Sequence, residues 1–201
     1  MKAKSTKLLS LIALCGLMLC RAAAAQEEAT PKEKEPVDPK ATRITLGGSS
    51  GTPGTSVVVP IYFTPSEGAQ AGRLKITVEF VSANLKFDKV ERGIAAEMGD
   101  VDVKSDLKVG KNDKGIETST LTIEAAAPQS PKKAIPPGLL GYIQMKISES
   151  GRPANITLRA AAEGSDLASG KPLQNLKSYD AQVEVLAPGT QPVVACFFFS
   201  H

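Results

Sequence analysis

Arg73-Leu74-Lys75-Ile76-Thr77-Val78-Glu79-Phe80 alternates without a break: Leu74, Ile76, Val78 and Phe80 are apolar, and Arg73, Lys75, Thr77 and Glu79 between them are polar. Successive side chains of an extended chain point to opposite sides, so a period of two specifies a strand with one buried and one wetted face. Short runs of the same kind recur on both sides of this one, punctuated by Gly, Pro, Asn and Asp. They are Arg43 to Leu46, Ser56 to Phe63, Leu85 to Glu91, Val101 to Val109, Thr118 to Ala126, Leu139 to Ile147, Asn155 to Ala161 and Ala181 to Leu186. No segment sustains an i, i+3, i+4, i+7 apolar stripe, and the alanine clusters Ala125 to Ala127 and Ala160 to Ala162 are too short to nucleate a helix.

The pattern predicts an all-β, nine-stranded β-sandwich with jelly-roll topology, forming one domain over Arg43 to Ala187. Two sheets must face each other to bury both apolar faces. Pro60 has no N–H to give a ladder, which predicts an edge or a bulge in the second strand. Pro128 to Gly138, with three further prolines, is expected to be a stiff exposed connection.

The flanks differ in composition. Met1 to Ala25 carries Lys2, Lys4 and Lys7, then the apolar run Leu8 to Cys20, then Ala23-Ala24-Ala25 before Gln26. This is the layout of a signal peptide cut after Ala25, and its apolar run is too short to span a bilayer. Lipid attachment at Cys15 or Cys20 is disfavoured, because each follows a leucine where a small residue is wanted. Gln26 to Thr42 is dominated by charged residues and proline and reads as a disordered spacer. Pro188 to His201 reads as a linker followed by the apolar run Val193 to Phe199, either a final strand packed on the sandwich or a segment docking to a partner.

Cleavage would remove four cations and no acids, taking the formal charge from +3 to −1. That balance does not point to nucleic acid. It would also leave Cys196 as the one cysteine, so no internal disulfide is expected. His201 is the only histidine and the last residue, a poor position for a Ser/His/Asp triad, a Cys/His pair or a histidine-rich metal site. Gly47-Gly48-Ser49-Ser50-Gly51 matches the GxSxG nucleophile elbow, but a β pattern follows it instead of a helix, so it is read as a turn loop. No catalytic residue, metal site or cofactor is expected.

Asp100, Asp102 and Asp106 are close enough in sequence to consider calcium. Asp100 and Asp102 would share a strand face with Lys104 next in line, and no closing Glu follows at EF-hand spacing, so a solvated face is expected. Lys111-Asn112-Asp113-Lys114-Gly115 reads as a hairpin turn. Asn155-Ile156-Thr157 has the form of a glycosylation sequon. Carbohydrate binding usually presents aromatic rings beside polar groups. With no Trp and only Tyr62, Tyr142 and Tyr179, the sequence predicts at most a shallow site built on one Tyr.

Thr55 to Ile61, then Ile76-Thr77-Val78-Glu79-Phe80, then Leu85-Lys86-Phe87-Asp88-Lys89-Val90-Glu91-Arg92-Gly93 resembles the opening of a cohesin domain. Gly138 to Ile147 and Ala181 to Leu186 sit where that family has its closing strands, so the resemblance covers Arg43 to Ala187. Related cellulose-binding sandwiches share much of the pattern. The step Phe80-Val81-Ser82-Ala83-Asn84-Leu85 lacks the Asp and Pro usual in cohesins at that point. The resemblance implies a non-catalytic binding module that takes a calcium-loaded dockerin module on one sheet face, the calcium belonging to the dockerin. It places the strand of Arg73, Lys75, Thr77 and Glu79 on that face, which makes these four the candidate partner-binding residues. A carbohydrate-binding module is the alternative.

Overall fold

The computed structural model describes residues 40–190. The signal segment, most of the spacer, the apolar run Val193 to Phe199 and Cys196 lie outside the described residues. The described chain forms eleven strands and one short helix. They are β1 (Thr42–Leu46), β2 (Ser49–Gly51), β3 (Ser56–Thr64), β4 (Ala71–Val81), β5 (Leu85–Arg92), α1 (Ile94–Met98), β6 (Asp102–Lys111), β7 (Glu117–Ala126), β8 (Gly138–Ile147), β9 (Ala154–Asp166), β10 (Leu176–Tyr179) and β11 (Ala181–Val185).

Two sheets face each other, a five-stranded one in the order β10-β1-β3-β8-β5 and a six-stranded one in the order β2-β11-β9-β4-β7-β6. Every connection except the β6–β7 hairpin passes from one sheet to the other, the crossing pattern of a jelly roll. The β4 alternation behaves as its period requires: Leu74, Ile76, Val78 and Phe80 are buried, while Arg73, Lys75 and Glu79 are exposed. Ile44, Ile61 and Phe63 of one sheet and Leu121, Ile123 and Leu158 of the other belong to the same continuous core.

The count of nine strands is corrected to eleven. Ser49–Gly51 was expected to be a loop, yet it pairs in parallel with β11, Ser49 opposite Val183 and Gly51 opposite Val185. Leu176–Tyr179 pairs in parallel with β1. Both are too short and too polar to show a period of two; each is paired to a strand distant in sequence, and Leu176 alone of their side chains packs on the core.

Pro60 is not at an edge. β3 lies between β1 and β8, with a register shift between Ile61 and Tyr62. The Gly47 N–H donates to the Pro60 carbonyl at 2.8 Å, just past the end of β1. In an extended chain a residue's N–H and C=O point the same way, so the donor Pro60 lacks would face this margin, where β1 has already ended. A Cβ at Gly47 would lie 2.5 Å from Pro60 Cγ, so the crossing requires glycine there.

The Pro128 to Gly138 connection is not wholly exposed either. Ile135 is buried, and its N–H donates to the Ala71 carbonyl at 2.8 Å, which ties the connection to the start of β4. Asp100 does not share a strand face with Asp102: it occupies a left-handed turn (φ 50°) after α1, and β6 begins at Asp102.

Candidate functional site

The outward face of β9, β4, β7 and β6 carries the four candidate residues. Register fixes what stands beside each of them. Arg73 is opposite Ser165 and Ala126; Lys75 is opposite Glu163 and Glu124; Thr77 is opposite Ala161 and Thr122; Glu79 is opposite Arg159 and Thr120. The rows continue onto β6, where Asp102 follows Ala126, Lys104 follows Glu124, Asp106 follows Thr122 and Lys108 follows Thr120.

The face therefore has a plan. A charged row, Glu163, Lys75, Glu124, Lys104, alternates in sign across four strands. An uncharged centre of Ala161, Thr77 and Thr122 follows, and beyond it Arg159 and Glu79. Opposite charges on neighbouring strands support a sheet only modestly. The one ion pair within this face among the described residues is Lys104 to Asp102, 2.7 Å, both well exposed. That carboxylate holds the Lys104 ammonium above its ordinary pKa.

A groove lies at each end of the face. One, of about 660 Å³, is lined by Arg73, Lys75, Glu163, Ser165, Leu173 and Asn175. It is walled by the loop after β9, whose start is held by Asp166. The Asp166 carboxylate accepts the Ser169 N–H at 2.8 Å, the Ser169 hydroxyl at 2.7 Å and the Ala168 N–H at 3.1 Å. These donors, Ser169 foremost, hold its carboxyl below the usual value. The other groove, of about 640 Å³, is lined by Glu79, Val81, Asn84, Thr118, Asn155 and Arg159.

β6 closes this sheet as an edge strand and carries Lys104, Lys108 and Lys111. Lysines on an edge oppose its pairing with stray strands. The hairpin after it is the expected turn: Asn112 Oδ1 accepts the N–H groups of Lys114 at 3.0 Å and Ile116 at 2.9 Å, with Gly115 at φ 73°. Among the described residues no group of three or more His, Cys, Asp or Glu is placed to hold a metal ion. Ser49 sits in a strand beside β11 and not on a strand-to-helix elbow. No helix among the described residues is long and apolar enough to cross a membrane.

The opposite face holds all three tyrosines. Thr45 of β1 stands between Tyr62 of β3 and Tyr179 of β10, and Tyr142 of β8 stands between Pro60 and Glu91. Tyr62 is 43% exposed. Nearby, Glu91 accepts from Lys89 Nζ and Gln144 Nε2, both at 2.6 Å, and Lys89 is the main cause of its lowered pKa. The sequence allowed at most a shallow site on one tyrosine, whereas the register gathers three on one sheet.

The sequence reading singled out only the β4 residues; Glu124, Arg159 and Glu163, which the register sets beside them, were not among its candidates. Glu124 and Arg159 lie within runs read as strands, so their exposed phase was visible; which strands flank β4 was not.

No family profile and no curated protein matches the chain. Solved structures do share its architecture. The third cohesin of ScaC from Acetivibrio cellulolyticus, solved in complex with the ScaB dockerin, is 18% identical with a TM-score of 0.57, covering 73% of this chain and 99% of that one. The seventh ScaB type I cohesin from Pseudobacteroides cellulosolvens is 16% identical with a TM-score of 0.55, covering 79% and 99%. A non-cellulosomal cohesin from the archaeon Archaeoglobus fulgidus is 16% identical with a TM-score of 0.52, covering 73% and 91%. The TM-scores and the coverage of both chains agree with the sandwich described above: the chain has the cohesin fold.

Proposed function

We propose that the protein is an exported, non-catalytic binding module that recognises a protein partner through the outward face of β9, β4, β7 and β6. Arg73, Lys75, Thr77 and Glu79 are its contact residues on β4, joined by Glu163 and Arg159 of β9 and Glu124 of β7. The observation that carries the reading is the banded face itself: sign-alternating charges around a small-residue centre, with a groove at each end. Arrangements of this kind set register and partner choice more than raw affinity. The partner class is a dockerin-like module, which would bring its own calcium, or a protein of the cell envelope. The leader Met1 to Ala25 supports export to the periplasm or the exterior.

The test is capture from the exported fraction of the source organism by the chain from Gln26, with and without Val193 to His201, in calcium and in chelator. Capture of a discrete protein that requires calcium supports the dockerin-like partner. Capture lost on deleting the tail moves the site to Val193 to Phe199.

A second reading has its own observation: the tyrosine-bearing face of the five-stranded sheet. Tyr62, Tyr142 and Tyr179 beside Thr45, Gln144 and Glu91 offer rings and hydroxyl partners to a polysaccharide, the role of a carbohydrate-binding module in polysaccharide breakdown. It predicts quenching or enhancement of tyrosine fluorescence by soluble glycans, abolished in Tyr62→Ser.

A further inference from the structure

The charges on β9 and β4 are related to one another by a symmetry. Two residues to one side of the Ala161–Thr77 row stand Glu163 and Lys75; two residues to the other side stand Arg159 and Glu79. The sign on each strand thus reverses across that row, from minus to plus along β9 and from plus to minus along β4. Consider a two-fold axis lying in the face and crossing the strands at Thr77. It exchanges rows equally distant from it and lays each strand over its own copy with direction reversed. Lys75 then meets Glu79 of a second copy, and Glu163 meets Arg159 of that copy. Each contact occurs twice, with Thr77, Thr122 and Ala161 filling the centre.

The dimensions allow it. Two residues along a strand are about 7 Å, and packed sheets lie about 10 Å apart, a gap that facing long side chains fill. Sheet twist confines close packing to the middle of such an interface and splays its corners. That matters at β6, where the same axis sets Lys104 against Lys108 and Asp106 against itself. β6 is the outermost strand of the sheet, and its Lys104 is already paired with Asp102 at 2.7 Å.

Pairing within one sheet is the rival explanation, since Lys75 adjoins Glu163 and Glu79 adjoins Arg159. Yet no ion pair within 4.0 Å joins any two of these four among the described residues. We infer that the face takes a second copy of this chain, and that this homodimer and the partner proposed above compete for it. The inference rests on the reading of this face as the protein-binding surface.

Sedimentation equilibrium on the chain from Gln26 to His201 tests it. The wild type should show a monomer–dimer equilibrium that weakens as salt rises, because the contacts are exposed charges. Lys75→Glu sets a carboxylate against Glu79 of the other copy at both contacts, and Glu79→Lys sets an ammonium group against Lys75 at both. Each variant alone should dimerise at least about tenfold more weakly. Mixed one to one, they should dimerise again, since both contacts between unlike copies become opposite in charge. Pairing within one sheet gives no such rescue. A wild type monomeric at every concentration, a dimer unaffected by either variant, or no gain on mixing overturns the inference. If the wild type is monomeric but Lys75→Glu still loses the captured partner, only the second copy is excluded and the binding face stands. If the dimer behaves as expected while capture ignores Lys75→Glu, the hetero-partner binds elsewhere.

Discussion

Lys75 and Glu163 are register partners across β4 and β9, on the wetted face of the sheet, and no ion pair within 4.0 Å draws them together. Their charges remain available to a partner while the strands beneath them are fixed by the core. Along β4 the inward residues are buried in the core and the outward ones are the proposed contacts, so the two faces can be tested one at a time.

Ile76 represents the inward face. It is fully buried, and Ile76→Asp would place a carboxylate between the sheets with no partner. The cost, several kcal/mol even for the protonated acid, is a large share of the about 5–15 kcal/mol that holds a domain folded. The variant should show no cooperative thermal transition. The outward Glu79→Gln should change stability by less than about 0.5 kcal/mol. A near-normal melting temperature for Ile76→Asp would contradict the phase of the strand.

The crossing of Gly47 over Pro60 predicts a non-additive pair. Gly47→Ala brings a methyl to 2.5 Å from Pro60 Cγ and 2.9 Å from its Cδ, and should cost about 1–3 kcal/mol. Pro60→Ala removes both of those ring atoms. In the double variant the Gly47→Ala penalty should largely vanish in chemical denaturation, because the two sites share the contact. Full additivity would show that the clash is not what makes glycine necessary.

Asp166 gives the loop beside the groove lined by Arg73 and Lys75 a dependence on pH. Its carboxylate takes three hydrogen bonds from Ser169 and Ala168, which lower its pKa from the ordinary 3.8. A carboxyl depressed by folding stabilises the fold fully above its unfolded pKa, and that contribution fades as pH falls through the lower folded value. Asp166→Asn should therefore melt below the wild type near about pH 7, with the gap closing below about pH 4. A gap that stays constant into acid would mean that the ionised carboxylate is not what holds the turn.

How much the sequence revealed follows from how local each signal was. β4 was legible because eight residues alternate without interruption. β2 and β10 were not, since Ser49–Gly51 and Leu176–Tyr179 are held by parallel pairing to strands far away in sequence. β9 was expected to stop at Ala161 but runs to Asp166. It continues through Gly164, where a Cβ would come within 2.9 Å of both Leu173 and Leu74, so the backbone packs closely there. α1 is a single turn too short for any helical period to show. For the site, the exposed phase of β4 was readable, while the neighbours that complete the banded face depend on sheet order. The tyrosines show the same limit: Tyr62, Tyr142 and Tyr179 are scattered in sequence and gathered only by register.

The proposed recognition surface is the β9-β4-β7-β6 face. The most direct measurement compares partner capture by the wild type, by Lys75→Glu on that face, and by Lys89→Glu on the five-stranded sheet, with the melting temperature of each recorded. All three proteins should fold, with capture lost in Lys75→Glu and retained in Lys89→Glu. Equal capture by wild type and Lys75→Glu, or loss in Lys89→Glu alone, would contradict it.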